Sequence, residues 1–408
     1  MSAPRQASKL RVLFTAASIL VPVVLLCATL GRTSPASPFR QTRPQTGRIN
    51  VDLTVPAWKA DLRSNGFESP PSNQMQVFRP FDYRLSFAGE RVLIATFTSR
   101  EDVTSLVHRN DPNRPMPWKL HGVFLDAETG SVRGTKEWRM TRGHSAIIGR
   151  GDGTFAVLTP AFVASCLPDL KTCKEFRFSS EQAPRLWLTY LSPTGRSLLM
   201  GYQGHNGSFE WFDTDSMQRG PRWEGNMAIA SISDSAAVFT KETYAKPQGT
   251  TREILVRPKD GPQRTLCSAL LGHDNVCGGS PTLVSNDILA LTERNRLRLI
   301  PGDGSKTLLT MYASGSEWLR APIASADGAR VAVTVWVQKG GRELFDISSH
   351  GELKRIEIYD VLGGGLLYAL KAKRFGVKSI DGLALSPNGS SMAILADGIV
   401  SVYKLPVP

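Results

Sequence analysis

One pattern, a tight turn followed by a short apolar strand, constrains the fold of this chain more than any other feature. Its clearest copy lies near the C-terminal end, where the apolar residues 380–385 lead into Ser386-Pro387-Asn388-Gly389 and then into residues 392–396. Proline fixes φ in such a turn, and Asn or Gly accepts a left-handed backbone. Asp397-Gly398 then predicts a hairpin into residues 399–405. Three such short strands do not form a stable sheet alone, so the unit needs neighbours.

Copies of this unit recur along the chain. The Ser-x-x-Gly form of the turn begins at Ser86, Ser192 and Ser325, and looser forms lie at residues 150–153, 233–235 and 285–287. Most copies are followed by a strand that ends in an apolar pair and then Asp or Pro, as in Phe124-Leu125-Asp126. With the last unit the copies number seven, and a repeat of about 40 residues or more is typical of propeller blades. The sequence therefore predicts an all-β, seven-bladed β-propeller over residues 48–408.

The two ends of the repeat region are predicted to meet. Residues 48–56 alternate apolar and polar side chains with the period of a strand. Because the last unit has only three strands, this N-terminal strand is expected to supply the fourth and close the ring, which removes exposed strand edges. Two insertions, residues 99–118 in the first blade and 338–355 in the sixth, are candidates for partner contacts, with tolerated surface insertion as the alternative.

The N-terminal segment predicts export or membrane attachment. Arg5, Lys9 and Arg11 precede 19 uncharged, apolar positions from 12 to 30, which fits a signal peptide or a membrane-anchor helix over residues 1–31. Basic residues flank both ends, so the positive-inside rule gives no orientation. Residues 32–47, rich in Pro, Ser, Thr and Arg, predict a flexible linker.

Cysteine usage indicates the compartment. Beyond Cys27 the cysteines form two close pairs, Cys166 with Cys173 and Cys267 with Cys277, and the first pair brackets a predicted turn between a third and a fourth strand. Neither pair has zinc-ligand or Cys-x-x-Cys spacing. We expect two structural disulfides, with free buried thiols as the alternative. Disulfides would place the propeller in the periplasm or outside the cell.

The Ser-Pro-Asn-Gly turn, the strands ending in an aromatic residue plus Asp, and the Gly-His pairs at 143–144 and 272–273 carry a resemblance to a known family. The chain resembles the WD40-like and YVTN-like β-propeller repeat proteins that bacteria secrete, over roughly residues 48–408. No strand ends in the Trp-Asp of the strict WD40 pattern. The resemblance implies the propeller fold and leaves the function open, because scaffolds, receptors and enzymes all use this fold.

Candidate ligand residues follow from the predicted blade geometry, since small-molecule sites on propellers usually lie at a mouth of the central channel. The residues five positions before each turn serine, or its equivalent, are Phe81, Ser145, Trp187, Ala228, Ser280, Arg320 and Asp381. Trp187, Arg320 and Asp381 are the channel-mouth candidates. Trp187 and Arg320 could form a stacking and anion-binding pair, or Trp187 could be buried between blades. The segment Asp381-Gly382-Leu383-Ala384 is similar to one in calcium-dependent lactonase-like propellers, but a metal site needs several ligands. Asp381 is thus a weak metal candidate and otherwise a turn residue.

No motif in the chain specifies a reaction. The six histidines lack zinc-ligand spacing, and neither a Gly-x-Ser-x-Gly nor a phosphate-binding loop is present. Arg150-Gly151-Asp152 matches an adhesion tripeptide, but it lies in a predicted turn between strands, so we interpret the match as a coincidence. Without Arg5, Lys9, Arg11 and Arg32 the net charge falls from +13 to +9, spread without a long basic run, and with the secretory start this disfavours nucleic-acid binding.

Two functions remain as hypotheses. The first is a non-catalytic, monomeric interaction platform for an envelope protein or a small ligand, without a cofactor, that contacts the membrane only through its N-terminal segment. The alternative is a secreted propeller enzyme, either a lactonase-like hydrolase or a quinoprotein-like dehydrogenase subunit, with Asp381 as a ligand.

Overall fold

The computed structural model describes residues 55–67, 83–100, 118–140, 145–159, 161–179, 186–202, 207–225, 227–245, 249–270, 277, 279–285, 288–293, 295–301, 307–320, 322–337, 352–372 and 381–406. Over these ranges the chain forms seven antiparallel sheets, six of four strands and one that carries an additional two-residue strand. The predicted signal or anchor helix and the linker lie outside these ranges. Within them, no helix is long and apolar enough to cross a membrane.

The strands follow one another blade by blade, after β1 (Trp58–Asp61) and a 3-10 turn (Arg63–Asn65). Blades 1 to 3 contain β2 (Arg84–Ala88), β3 (Val92–Arg100), β4 (Trp118–Asp126) and β5 (Val132–Met140); β6 (Ala146–Gly149), β7 (Phe155–Leu158), β8 (Phe162–Cys166) and β9 (Cys173–Arg177); β10 (Leu186–Leu191), β11 (Ser197–Tyr202), β12 (Ser208–Asp213) and β13 (Gln218–Glu224).

The remaining blades follow the same scheme. Blades 4 and 5 contain β14 (Ala228–Ile232), β15 (Ala236–Ala245), β16 (Gly249–Pro258) and β17 (Arg264–Leu270); β18 (Ser280–Leu283), β19 (Ile288–Thr292), β20 (Arg296–Pro301) and β21 (Leu309–Tyr312). Blades 6 and 7 contain β22 (Glu317–Leu319), β23 (Ile323–Ala324), β24 (Arg330–Val337), β25 (Glu352–Asp360) and β26 (Leu366–Lys371); β27 (Gly382–Leu385), β28 (Ser391–Ala396) and β29 (Ile399–Lys404).

The first strand of each blade lies nearest the centre of the ring. Contacts between neighbouring blades join these inner strands: β2 with β27 and β6, β14 with β10 and β18, and β23 with β27. Apolar clusters fill the space between consecutive sheets. One of them joins Trp336 and Ile356 of blade 6 to Leu383 and Met392 of blade 7. Each small sheet therefore buries its faces against two neighbours, as the repeat pattern predicts.

An N-terminal strand closes the ring, but not the predicted one. Strand β1 pairs antiparallel with β29, Trp58 opposite Val402, and supplies the fourth strand of blade 7. The predicted strand was residues 48–56; Val55 is exposed, and residues 48–54 lie outside the described ranges. The Trp58 ring is buried between blades 7 and 1, and its Nε1 donates to the carbonyl oxygen of Ala127 at 3.0 Å. This anchor, rather than the upstream alternation, determines the register.

The turn serines have a specific structural role. Ser192, Ser325 and Ser386 are buried, and each hydroxyl accepts the backbone N–H five residues later, at 3.0–3.1 Å. The glycines that end these turns have φ of 69–70°, where a Cβ is strained. The first-blade copy was misread. Strand β2 continues through Ala88, and the Ser86 hydroxyl accepts the N–H of Gly149 in blade 2.

Turns between first and second strands bond to one another across blades. Gly89 N–H donates to the carbonyl of Arg150 at 2.7 Å, Thr194 Oγ1 to Asp234 at 2.6 Å, and Asn388 N–H to Glu90 at 2.9 Å. These turns therefore lie on one side of the ring, which we call the turn face. The hairpins between second and third strands lie at the other ends of the same strands, on the opposite side, which we call the hairpin face.

Candidate functional site

Three hairpins extend further than the others on the hairpin face. The second and third strands have nine residues each in blade 1, ten each in blade 4, and eight and nine in blade 6. In blades 2, 3, 5 and 7 these strands have four to six residues. The blade 4 hairpin carries an exposed aromatic ring, Tyr244, close to its tip. The two predicted insertions begin at the ends of the blade 1 and blade 6 hairpins, and residues 101–117 and 338–351 lie outside the described ranges.

Two of the three channel-mouth candidates, Trp187 and Arg320, lie at irregularities of the inner strands. In blade 3, Leu186 pairs with Tyr202 and Leu188 with Gly201, which leaves Trp187 as the extra residue of a β-bulge. In blade 6, Leu319 pairs with Val335 and Ile323 with Ala332, so three residues, beginning with Arg320, oppose two. Bulges re-aim side chains and are frequent next to functional sites. The Trp187 side chain and all of Phe81 lie outside the described parts.

Arg320 stacks on a tryptophan other than the predicted one. Its guanidinium carbon lies 4.0 Å from the centre of the Trp336 ring, and Trp336 Nε1 donates to Thr334 Oγ1 at 2.9 Å. The Arg320 backbone N–H donates to the carbonyl of the same Thr334 at 3.1 Å. Arg320 is exposed, and partial desolvation by the surrounding protein lowers the pKa of its guanidinium.

Asp381 is committed to its own blade. Its Oδ2 accepts the N–H of Asp397 at 2.9 Å, and its backbone N–H donates to Leu395. Burial raises the pKa of the Asp381 carboxyl; the Asp397 N–H opposes this, and the Asp397 carboxylate adds to it. Asp397 forms an ion pair with Arg63 at 3.1 Å. The geometry is that of a carboxylate supporting the hairpin of blade 7. Across the described ranges, no three His, Cys, Asp or Glu side chains lie close enough to share a metal ion.

A serine, a histidine and a glutamate form a hydrogen-bonded chain across three strands of blade 1. His121 Nε2 lies 2.5 Å from Ser99 Oγ, and His121 Nδ1 lies 3.2 Å from Glu137 Oε1. This order resembles a nucleophile, base and orienting acid. However, Ser99 and His121 are buried, the imidazole stacks on Phe97 with centroids 4.8 Å apart, and an adjoining cavity of about 250 Å³ is lined by His121 and Glu137 but not by Ser99. We therefore assign this series of hydrogen bonds between Ser99, His121 and Glu137 a structural role.

A buried glutamate at the start of blade 6 forms ion pairs with two basic side chains. Glu317 accepts from Lys354 and, at 3.0 Å, from Arg355, while Arg355 also bonds to Glu357 at 2.6 Å. Burial opposes ionisation, but the hydrogen bonds from Arg355 and Lys354 lower the pKa of Glu317 to about 2. This cluster supports the base of the extended blade 6 hairpin, because Glu317 lies on the inner strand and its partners on β25.

The adhesion tripeptide is a turn with a buried arginine. Arg150 is 2% exposed; its guanidinium donates to Asp215 at 2.6 Å, to Thr214 at 2.6 Å and to the carbonyl of Gly195 at 2.9 Å. These partners belong to blade 3, so Arg150 joins two blades. An arginine that is buried and whose terminal N–H groups bond inside the protein is not available to a receptor.

Both predicted disulfides are present. Cys166 and Cys173 are opposite each other on β8 and β9 with Cα atoms 4.1 Å apart, and Cys267 is bonded to Cys277. Of the other predicted positions, Ser145 is buried, whereas Ala228 and Ser280 are exposed. His144 and His273 lie outside the described residues.

Comparison with known proteins supports the fold. No family model matches the chain, and no curated protein matches it. Among solved structures, an acylaminoacyl peptidase from Pyrococcus horikoshii aligns with TM-score 0.50 and 13% identity, over 81% of this chain and 53% of that chain. The β-propeller domain of the trilobed protease from Pyrococcus furiosus aligns with TM-score 0.49 and 12% identity, over 79% and 95%. The C-terminal WD40 domain of Sif2 aligns with TM-score 0.41 and 11% identity, over 80% and 97%.

At these identities the likeness shows the fold alone. The chain is a seven-bladed β-propeller. The choice between a binding role and catalysis must therefore come from the residues of this chain.

Proposed function

We propose that this chain is a non-catalytic β-propeller of the periplasm or cell surface that binds an envelope protein, or a small ligand, through its hairpin face. The supporting observation is the asymmetry between the two faces. The turns of the turn face bond to one another across blades, whereas the second and third strands of blades 1, 4 and 6 extend the hairpin face with eight to ten residues each. Long loops on a rigid scaffold are where binding residues are usually found.

The compartment forms part of the proposal. Two disulfides favour an oxidising environment. On this view residues 1–31 export or anchor the protein, residues 32–47 link it to a propeller over residues 48–408, and the protein works as a monomer of the secreted WD40-like or YVTN-like kind. Nucleic acid is not an expected partner. The lactonase-like or quinoprotein-like alternative gains no support from Asp381, whose carboxylate is bonded to the hairpin of its own blade.

A paired capture experiment tests the binding face. Wild-type propeller and two variants would be immobilised and exposed to envelope extract. The first variant, Tyr244→Ala, removes the exposed ring on the blade 4 hairpin, and the control, Leu362→Ala, removes an exposed apolar side chain on the turn face. We expect the wild type and the control to retain the same partner and Tyr244→Ala to retain several-fold less. Equal retention by all three would move the binding surface away from this hairpin.

A further inference from the structure

The interruption of the inner strand of blade 6 carries a positively charged side chain, that of Arg320. Strand β22 ends at Leu319 and β23 begins at Ile323, and Arg320 opens the bulge between them. In a regular strand the side chain of Arg320 would point to one face of the sheet and those of its two neighbours to the other. The bulge removes that constraint, so the direction of Arg320 is determined by its stacking on Trp336.

The stack fixes the plane of the guanidinium. Trp336 is 2% exposed, packs in the cluster between blades 6 and 7, and is held by its bond to Thr334. Its ring is therefore a rigid platform, and stacking at 4.0 Å holds the planar cation over its face. Much of the side-chain entropy that an arginine loses on binding is thus lost already in the free protein.

The donors of Arg320 have no partner within the described part of the chain. Its side chain forms neither a hydrogen bond nor an ion pair there and instead stacks on the Trp336 ring. A stacked guanidinium keeps its N–H groups in its own plane, where they can meet the two oxygens of a carboxylate or phosphate. Arg150 and Arg355, by contrast, donate to carboxylates of this protein.

We propose that Arg320, stacked on Trp336 at the inner-strand bulge of blade 6, is a binding site for an oxyanion, either a carboxylate or a phosphate group. The site differs from the tips of the extended hairpins proposed above to bind a partner: Arg320 follows the inner strand β22, and Trp336 lies on β24, a strand of the blade 6 hairpin. Bidentate hydrogen bonding supplies the recognition, and the rigid stack keeps the cation in place for it. The sequence analysis identified Arg320 as a candidate but paired it with Trp187. Trp336 lies 16 positions after Arg320 in the sequence, on β24, the strand that pairs with β22.

Titration with small anions tests the site directly. Inorganic phosphate and acetate would be titrated separately into the folded protein by calorimetry, at low ionic strength because salt screens the interaction. We expect wild-type protein to bind one of these anions, or both, at millimolar concentrations, as a single charge-assisted bidentate contact allows. A preference for phosphate would indicate phosphate esters as natural ligands, and a preference for acetate would indicate carboxylates.

Three variants make the assignment specific. Arg320→Gln removes the charge and is expected to weaken binding at least tenfold, while Arg320→Lys keeps the charge, loses the planar fork and is expected to weaken it several-fold. The matched control is Arg257→Gln, because Arg257 also stacks on a tryptophan, Trp223, at 4.7 Å, but on the third strand of blade 4. Circular dichroism would verify that each variant is folded. Failure of wild-type protein to bind either anion, or equal binding by Arg320→Gln, would overturn the proposal.

Discussion

Arg150 links two blades through one side chain. Its guanidinium bonds to Ser165 within blade 2 and to Gly195, Thr214 and Asp215 of blade 3. Burial lowers the pKa of this guanidinium and the Asp215 carboxylate opposes the change, so the cation remains paired. The stability of the ring at this junction therefore depends on polar contacts as well as on the apolar clusters.

Replacing Arg150 should be costly for that reason. Arg150→Met removes the cation that pairs with Asp215 and the donor to the Ser165 and Thr214 hydroxyls, while the Gly195 carbonyl keeps its hydrogen bond from Thr214 at 2.7 Å. We expect a loss of about 3 kcal/mol in the free energy of unfolding. Urea unfolding followed by circular dichroism would measure it. Arg196→Met is the matched control, because Arg196 pairs with Asp152 and Asp215 but is 46% exposed, and its loss should be within about 1 kcal/mol. Equal effects of the two variants would contradict the role of burial.

Glu317 gives the fold a defined acid sensitivity. The pKa of Glu317 is lowered in the folded state from 4.5 to about 2, so its contribution to stability is complete above pH 4.5 and is lost as the pH falls towards 2. We expect Glu317→Gln to lower stability at pH 7 by on the order of 2 kcal/mol, with allowance for the exposed Lys354 partner. Unfolding curves at several pH values would show the gap between wild type and variant closing below pH 4.5. A gap that is constant down to pH 2 would contradict the assignment.

Individual contacts were the least predictable level of this structure. The sequence identified Arg320, Asp381 and the cysteine pairs as notable, and it explained none of their partners except those of the cysteines. His121 was judged by its spacing to other histidines along the chain, but its partners Ser99 and Glu137 lie on the two adjacent strands. Such contacts depend on strand register, which a one-residue shift changes completely.

At the level of single elements, the Ser-x-x-Gly turns are the best understood. The buried serine hydroxyl satisfies a backbone N–H, and the glycine takes the left-handed conformation that the turn requires. In the blade 7 turn the carbonyl of Gly389 also accepts from Arg330 Nη1 of blade 6 at 2.6 Å. The turn therefore closes a hairpin and joins two blades.

A substitution at Gly389 separates these two effects. Its φ is 69°, and a Cβ there would lie 2.6 Å from Arg330 Cδ, so Gly389→Ala adds backbone strain and displaces the arginine. We expect a loss of about 2 kcal/mol, measured by thermal or urea unfolding. The control is Gly315→Ala, where φ is 60° and no atom lies within 4 Å of the added Cβ, and which should cost about 1 kcal/mol from strain alone. A control variant as unstable as Gly389→Ala would show that the contact with Arg330 is unimportant.

The architecture of the whole ring was predicted from the sequence more reliably than the positions of individual strands and contacts. Seven units and closure by an N-terminal strand were predicted because repeats average over many local errors, and small sheets must bury both faces. The position of the closing strand was wrong. Alternation at residues 48–56 matched a strand by period alone, whereas the pairing is fixed by Trp58, a single buried ring between blades 7 and 1. Periodicity does not reveal which residue has a pocket to fill.

The observed register of closure can be tested by a disulfide. Lys59 is directly opposite Ser401 in the pairing of β1 with β29, so cysteines at these positions should have Cα atoms about 5 Å apart and bridge readily. The double variant Lys59→Cys with Ser401→Cys is expected to form the bond on mild oxidation, seen as a mass loss of two hydrogens, and to unfold at higher temperature because the two ends of the ring are joined. Lys59→Cys with Ile399→Cys is the control, since those positions are two residues out of register and about 7–8 Å apart. Efficient bridging in the control, or none in the first pair, would mean that a different segment of the N-terminal chain closes the ring.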